Sequence, residues 1–106
     1  MRALLVNPWI YDFAGYDLWA KPLGLLSIAG CLLDSGWDIE LIDCLDRHNP
    51  LYQSRFRHTI KDTSYYSGTY QTEVIEKPRL YEGIPRQYKR YGYPLDFFIF
   101  LLEKQR

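Results

Sequence analysis

Asn7, Pro8, Pro22, Leu23, Gly24 and Asp43 are the residues through which this chain could meet a ligand. Their types and spacing offer the chemistry of anion or ribose binding. Asn7-Pro8-Trp9 follows one apolar run, Pro22-Leu23-Gly24 opens a helical pattern, and Asp43 to Asp46 follows a second apolar run. The free N–H groups and dipole of a helix start favour a phosphate or carboxylate. Gly24, having no side chain, lets a ligand or a neighbouring backbone come close. Asp43 stands about where a dinucleotide-binding domain places its ribose acid, roughly 20 residues past its glycines. The glycine fingerprint itself is absent, and each residue has a plainer use. Pro22 is a good helix start, Gly24 can pack on a sheet, and Asp43 can cap a turn.

Other chemistry finds little support in the residue types. His48 and His58 have no carboxylate or cysteine partners at ligand spacing, so both read as surface or loop histidines. Cys31 and Cys44 form no short-spaced metal pair, so a zinc or iron–sulfur site within the chain is not expected. Reduced thiols fit a cytoplasmic protein, since the N-terminus enters a strand directly without a secretory signal. There is no serine nucleophile elbow, no phosphate loop ending in Lys-Ser or Lys-Thr, and no paired-acid motif. The chain shows no catalytic constellation of its own.

The elements that must position these residues form one strand–helix–strand unit within residues 2–46. Arg2 to Val6 reads as a buried parallel strand, because Ala-Leu-Leu-Val at 3–6 is continuously apolar, and Asn7-Pro8 ends it. Residues 9–20 form a long aromatic loop. Pro22 suits the first helical position and Gly36 the helix end, and the helix between them is apolar almost all round. Such a helix needs cover on more than one side, from the later basic segment, another domain or another subunit. Residues 38–43 then make a strand nearer the sheet edge, with Ile39, Leu41 and also Ile42 as inward candidates and Glu40 outward. A right-handed crossover of this kind predicts a partial flavodoxin-like, doubly wound α/β domain, with ligands beyond the carboxyl ends of its strands.

Residues 47–93 change character, holding eight of the ten tyrosines. They read as an insertion with some structure of its own. A strand or hairpin is expected near residues 69–75, where Tyr70, Thr72 and Val74 alternate with Gln71 and Glu73, and one or two helical turns over residues 84–91. Residues 94–106 form a final helix after Pro94, the run Phe-Phe-Ile-Phe-Leu-Leu being also compatible with a strand. The whole reads as a single, incomplete domain of 106 residues.

Formal net charge is zero, which gives no global reason to bind nucleic acid or an acidic membrane. The longest apolar run, Phe97 to Leu102, falls far short of the roughly 18 residues of a membrane helix. Charge is uneven along the chain. Residues 1–46 set two cationic against seven acidic residues, leaving −5, and residues 47–90 set nine against four, leaving +5. Either the basic segment lies over the acidic half of its own domain, or it meets an anionic ligand.

Leu-Leu-Val-Asn-Pro near the start, Lys-Pro-Leu-Gly-Leu-Leu-Ser-Ile-Ala-Gly-Cys-Leu at 21–32 and Trp-Asp-Ile-Glu-Leu-Ile-Asp at 37–43 resemble a known family. It is the N-terminal domain of cobalamin-binding-domain radical S-adenosylmethionine proteins. Gly-Ile-Pro-Arg-Gln-Tyr-Lys-Arg-Tyr-Gly at 83–92 looks like a subgroup with this insertion. The resemblance implies a flavodoxin-like domain holding cobalamin against a downstream barrel, which carries an iron–sulfur cluster and cleaves S-adenosylmethionine. It carries over Asn7, Pro8, Pro22, Leu23, Gly24 and Asp43 as pocket lining. Two departures follow. The Cys-x3-Cys-x2-Cys cluster motif is missing, so this chain cannot perform the radical step. The Asp-x-His-x-x-Gly motif that supplies a histidine to cobalt is missing too. The implied reading is a non-catalytic cofactor-binding or docking module whose partner is the downstream barrel, with self-association of the fragment through its open sheet edge. The rivals are a nucleotide- or phosphate-binding module and a structural interaction domain.

Overall fold

The computed structural model describes residues 1–15, 21–56 and 70–105. β1 (Arg2–Asn7), β2 (Ile10–Asp12), α1 (Leu23–Asp34) and β3 (Asp38–Asp43) come first. α2 (Pro50–Phe56), β4 (Thr72–Val74), β5 (Lys89–Tyr91) and α3 (Leu95–Lys104) follow, with a 3-10 turn at Arg79–Tyr81. The architecture is mixed α/β. One two-stranded sheet pairs β1 with β3, and one three-stranded sheet runs β2-β5-β4.

β1 and β3 are parallel, in a register that runs from Arg2 opposite Asp38 to Asn7 opposite Asp43. The strand–helix–strand unit expected at the start of the chain is therefore present. Pro22 sits at the N-cap of α1, one place before the position expected of it, with no side-chain cap bond. Gly36 has φ +83 and closes the helix. Its N–H bonds to Leu33 O at 3.0 Å, while the Trp37 N–H bonds to Leu32 O at 3.0 Å. These two bonds satisfy the last carbonyls in the paired pattern that a left-handed residue permits.

Alternation along β1 and β3 puts Arg2, Leu4, Val6 and Ile42 on one face. α3 covers that face. Val6 and Ile42 pack in a core with Cys44, Tyr52, Tyr93, Phe97 and Leu101, and Arg2 Nη2 donates to Gln105 Oε1 at 2.9 Å. α3 forms because Pro94 sets an extended entry, Asp96 lies in the first turn, Lys104 lies in the last, and Phe97 and Leu101 share one face. Burying two such side chains stabilises the contact by roughly 2–3 kcal/mol each. α2 starts where Asn49 Oδ1 accepts the Leu51 N–H at 2.9 Å. It adds Tyr52, stacked on Tyr93 with centroids 4.9 Å apart, and Arg55, whose guanidinium lies 4.0 Å from the centre of the Phe100 ring. The opposite face, with Ala3, Leu5 and Ile39 half-buried, is left for α1, which contacts both strands.

Several sequence expectations need correction. The aromatic loop after β1 contains β2, because its backbone finds β5 as an antiparallel partner; residues 16–20 lie outside the described residues. Lys89–Tyr91, expected within helical turns over residues 84–91, is a strand flanked on both sides by β2 and β4. The strand expected near residues 69–75 is shorter, Thr72–Val74. α2 was not foreseen. On β3 Ile42 is inward, 3 % exposed, and Ile39 half-buried, as expected, whereas Leu41, also expected inward, is exposed. Leu95–Lys104 is the helix expected there. His48 is exposed as expected, and His58 lies outside the described residues. Among the described residues no helix is long and apolar enough to cross a membrane.

Candidate functional site

The parallel register brings Asn7 and Asp43 side by side at the carboxyl ends of β1 and β3. Asn7 Nδ2 donates to Asp43 Oδ1 at 2.8 Å, and the same oxygen accepts the Leu45 N–H at 3.0 Å. The Cys44 N–H donates to Asn7 O at 2.9 Å, continuing the ladder one residue past β3. The acid read as a ribose ligand thus has one carboxylate oxygen engaged twice in tying the strand tips together. Asp46 turns the chain: its Oδ1 accepts the His48 N–H at 3.0 Å.

Against these tips lies a segment distant along the chain, Gly92-Tyr93. The Tyr93 N–H donates to Cys44 O at 2.8 Å, and Tyr93 O accepts the indole N–H of Trp9 at 2.7 Å. The Tyr93 hydroxyl donates to Asp46 O at 2.6 Å. Gly92, at φ +129, lets this happen. A Cβ there would stand 2.6 Å from Cys44 O and 2.9 Å from Trp9 Cδ1. The insertion therefore returns as a clasp over the strand tips, joining Trp9 after β1 to Cys44 after β3. Burial explains the titration behaviour of this clasp. It pushes the Cys44 thiol up to about 12, with the negative charge of Asp43 adding to the effect. It also raises the Tyr93 phenol, with Asp46 assisting, and the Tyr52 phenol.

The remaining sequence candidates are placed differently. Pro8 is exposed and Pro22 half-buried. Leu23 is 72 % exposed, and a Cβ at Gly24 would meet no atom within 4 Å, so Gly24 does not pack on the sheet. The hydrogen bonds at this end stay within the helix start, Leu23 N to Lys21 O and Leu26 N to Pro22 O. Asn7 and Asp43 are joined by a hydrogen bond, whereas the bonds of Leu23 N–H and Pro22 O run within the helix start.

Sequence reasoning missed Gly92, Tyr93 and Arg90. A cleft of about 270 Å³ is lined by Gln71, Thr72, Glu73, Arg90, Gly92 and Tyr93 among others. The buried Arg90 guanidinium pairs with Glu73 and lies 5.9 Å from the centre of a Trp9 ring. The only signal for it was the basic charge of the insertion, which does not single out one arginine among nine cationic residues. Among the described residues no group of three or more His, Cys, Asp or Glu could hold a metal ion.

Comparison of the chain with protein-family models, with curated proteins and with solved structures found no match.

Proposed function

We propose that this chain is a docking module, of the kind that stands ahead of the barrel in cobalamin-type radical S-adenosylmethionine proteins, and that it is not catalytic alone. The observation that carries this reading is the uncovered apolar surface of its parallel unit. α1 has no buried residue, and Leu23, Leu26, Ile28 and Leu33 are all exposed. Along α1, Leu25, Ala29 and Leu32 are half-buried and the rest exposed. Parallel strands are otherwise found covered on both faces within larger sheets. Here β1 and β3 each keep one unpaired edge among the described residues. Unpaired edges beside exposed apolar surface are where other chains or domains attach. A strand added at the free edge of β1 makes β1 central, as the flavodoxin-like order requires. The same addition supplies α1 with a second neighbour. The downstream barrel-bearing part of such a protein is the partner this reading names.

The described residues do not fit the cobalamin that the resemblance implies. Gly92 and Tyr93 already lie against Cys44 O at the tip of β3, where a corrin ring would need open space. Asp43 Oδ1 is engaged by Asn7 and Leu45. Docking is what the geometry supports.

The test is size-exclusion chromatography with light scattering on the chain and on a Leu26→Lys/Leu33→Lys variant. The expected outcome is association of the parent chain, lost in the variant with the circular-dichroism spectrum retained. A parent chain that stays monomeric at high concentration would count against a docking surface. A saturable shift in the visible spectrum of hydroxocobalamin would restore the cofactor reading. Thermal protection by a nucleotide, with no such shift, would favour a phosphate site at the start of α1.

A further inference from the structure

We infer that the cleft at Arg90 is a binding site for a small carboxylate, held shut by the chain's own Glu73. This goes beyond the docking reading and does not depend on it. The two partners of the ion pair are unequal. The Arg90 side chain is 10 % exposed and that of Glu73 is 63 % exposed. Arg90 is fixed on the middle strand of its sheet, between β2 and β4, with its guanidinium beside Trp9. Glu73 sits directly across from it on β4, a three-residue strand exposed at every position and, among the described residues, paired on one side alone. The cation cannot leave, whereas the anion can swing into water and regain its hydration.

A guanidinium presents a planar fork of donors that matches a carboxylate, and burial leaves that attraction less screened. Glu73 shows that the cleft accepts a carboxylate. An external carboxylate that replaces it leaves the buried charge balance unchanged. The Gln71 amide and the Thr72 hydroxyl, both in the lining, supply polar groups for the rest of the ligand. At about 270 Å³, the cleft has room for a small organic acid.

The experiment is an amide and indole NMR titration of the full chain with sodium acetate and, separately, with sodium phosphate at constant ionic strength. Acetate is expected to give saturable shifts at Gln71 to Glu73, at Arg90 and at the indole N–H of Trp9. An ion pair with one exposed partner holds the cleft shut by roughly fivefold, so Glu73→Gln is expected to tighten acetate binding by about that factor. Arg90→Lys, which keeps the charge and removes the fork, is expected to lose the saturable shifts. Acetate binding no tighter to Glu73→Gln than to the parent chain would overturn the proposal, as would shifts that do not include Arg90. Phosphate saturating the same resonances more tightly than acetate would overturn the carboxylate assignment.

Discussion

Replacing Gly92 with alanine tests whether the clasp over the strand tips is what the geometry says it is. At φ +129 the backbone occupies a region that side-chain-bearing residues rarely adopt, at about 1–3 kcal/mol. The added methyl would also stand 2.6 Å from Cys44 O and 2.9 Å from Trp9 Cδ1. Cys44 O accepts the Tyr93 N–H, and the Trp9 indole donates to Tyr93 O, so relieving the clash disturbs both bonds. Each is worth about 1 kcal/mol. The sum is about 3–5 kcal/mol, a large part of the ~5–15 kcal/mol by which a domain is stable. Gly36→Ala is the matched control. Gly36 also has positive φ, +83, but nothing lies within 4 Å of its Cβ position, so it carries backbone strain alone, about 1 kcal/mol. Urea unfolding followed by circular dichroism gives both values. Equal losses for the two variants would refute the close approach of Gly92 to Cys44 and, with it, the clasp over the strand tips.

Asn7→Ala removes the donor to Asp43 Oδ1 and is expected to cost about 1–2 kcal/mol in the same assay, with the parallel register preserved; a neutral result would mean that the tie does not hold the strand tips. Stability is also expected to fall as pH rises above about 9. In the unfolded chain Cys44, Tyr52 and Tyr93 ionise near 9.0 and 10.0, whereas in the folded chain burial raises all three. The folded state then holds more protons than the unfolded one, so its advantage is complete below the unfolded values and is lost towards the folded ones, about 12 for Cys44. Urea midpoints that stay level between pH 8 and pH 10.5 would contradict that burial.

The parts of the fold legible in the sequence are those whose signals are local. Ala-Leu-Leu-Val stopped by Pro8, Pro22 and Gly36 bracketing an apolar helix, and Pro94 with Asp96 opening α3 each act within a few residues. β5 was hidden because Lys-Arg-Tyr has no strand pattern of its own, and it exists through partners at Ile10–Asp12 and Thr72–Val74. α2, at seven residues, is too short to announce itself before tertiary packing holds it. In the candidate site, the meeting of Asn7 with Asp43 follows from two strands ending in parallel, which the sequence implies. The arrival of Gly92 and Tyr93 on Cys44 depends on a contact between distant segments, and such contacts leave no local trace.

By itself the amino-acid order determined a strand–helix–strand unit and the residues standing at its carboxyl end, because apolar runs, prolines and a positive-φ glycine act through near neighbours. Only the tertiary structure decided what became of that end. There Asp43 is engaged by Asn7 and Leu45, Trp9 and Tyr93 close over Cys44, and Arg90 faces Glu73 beside a small cleft. These outcomes rest on hydrogen bonds and burial between segments tens of residues apart, and those are set when the chain packs.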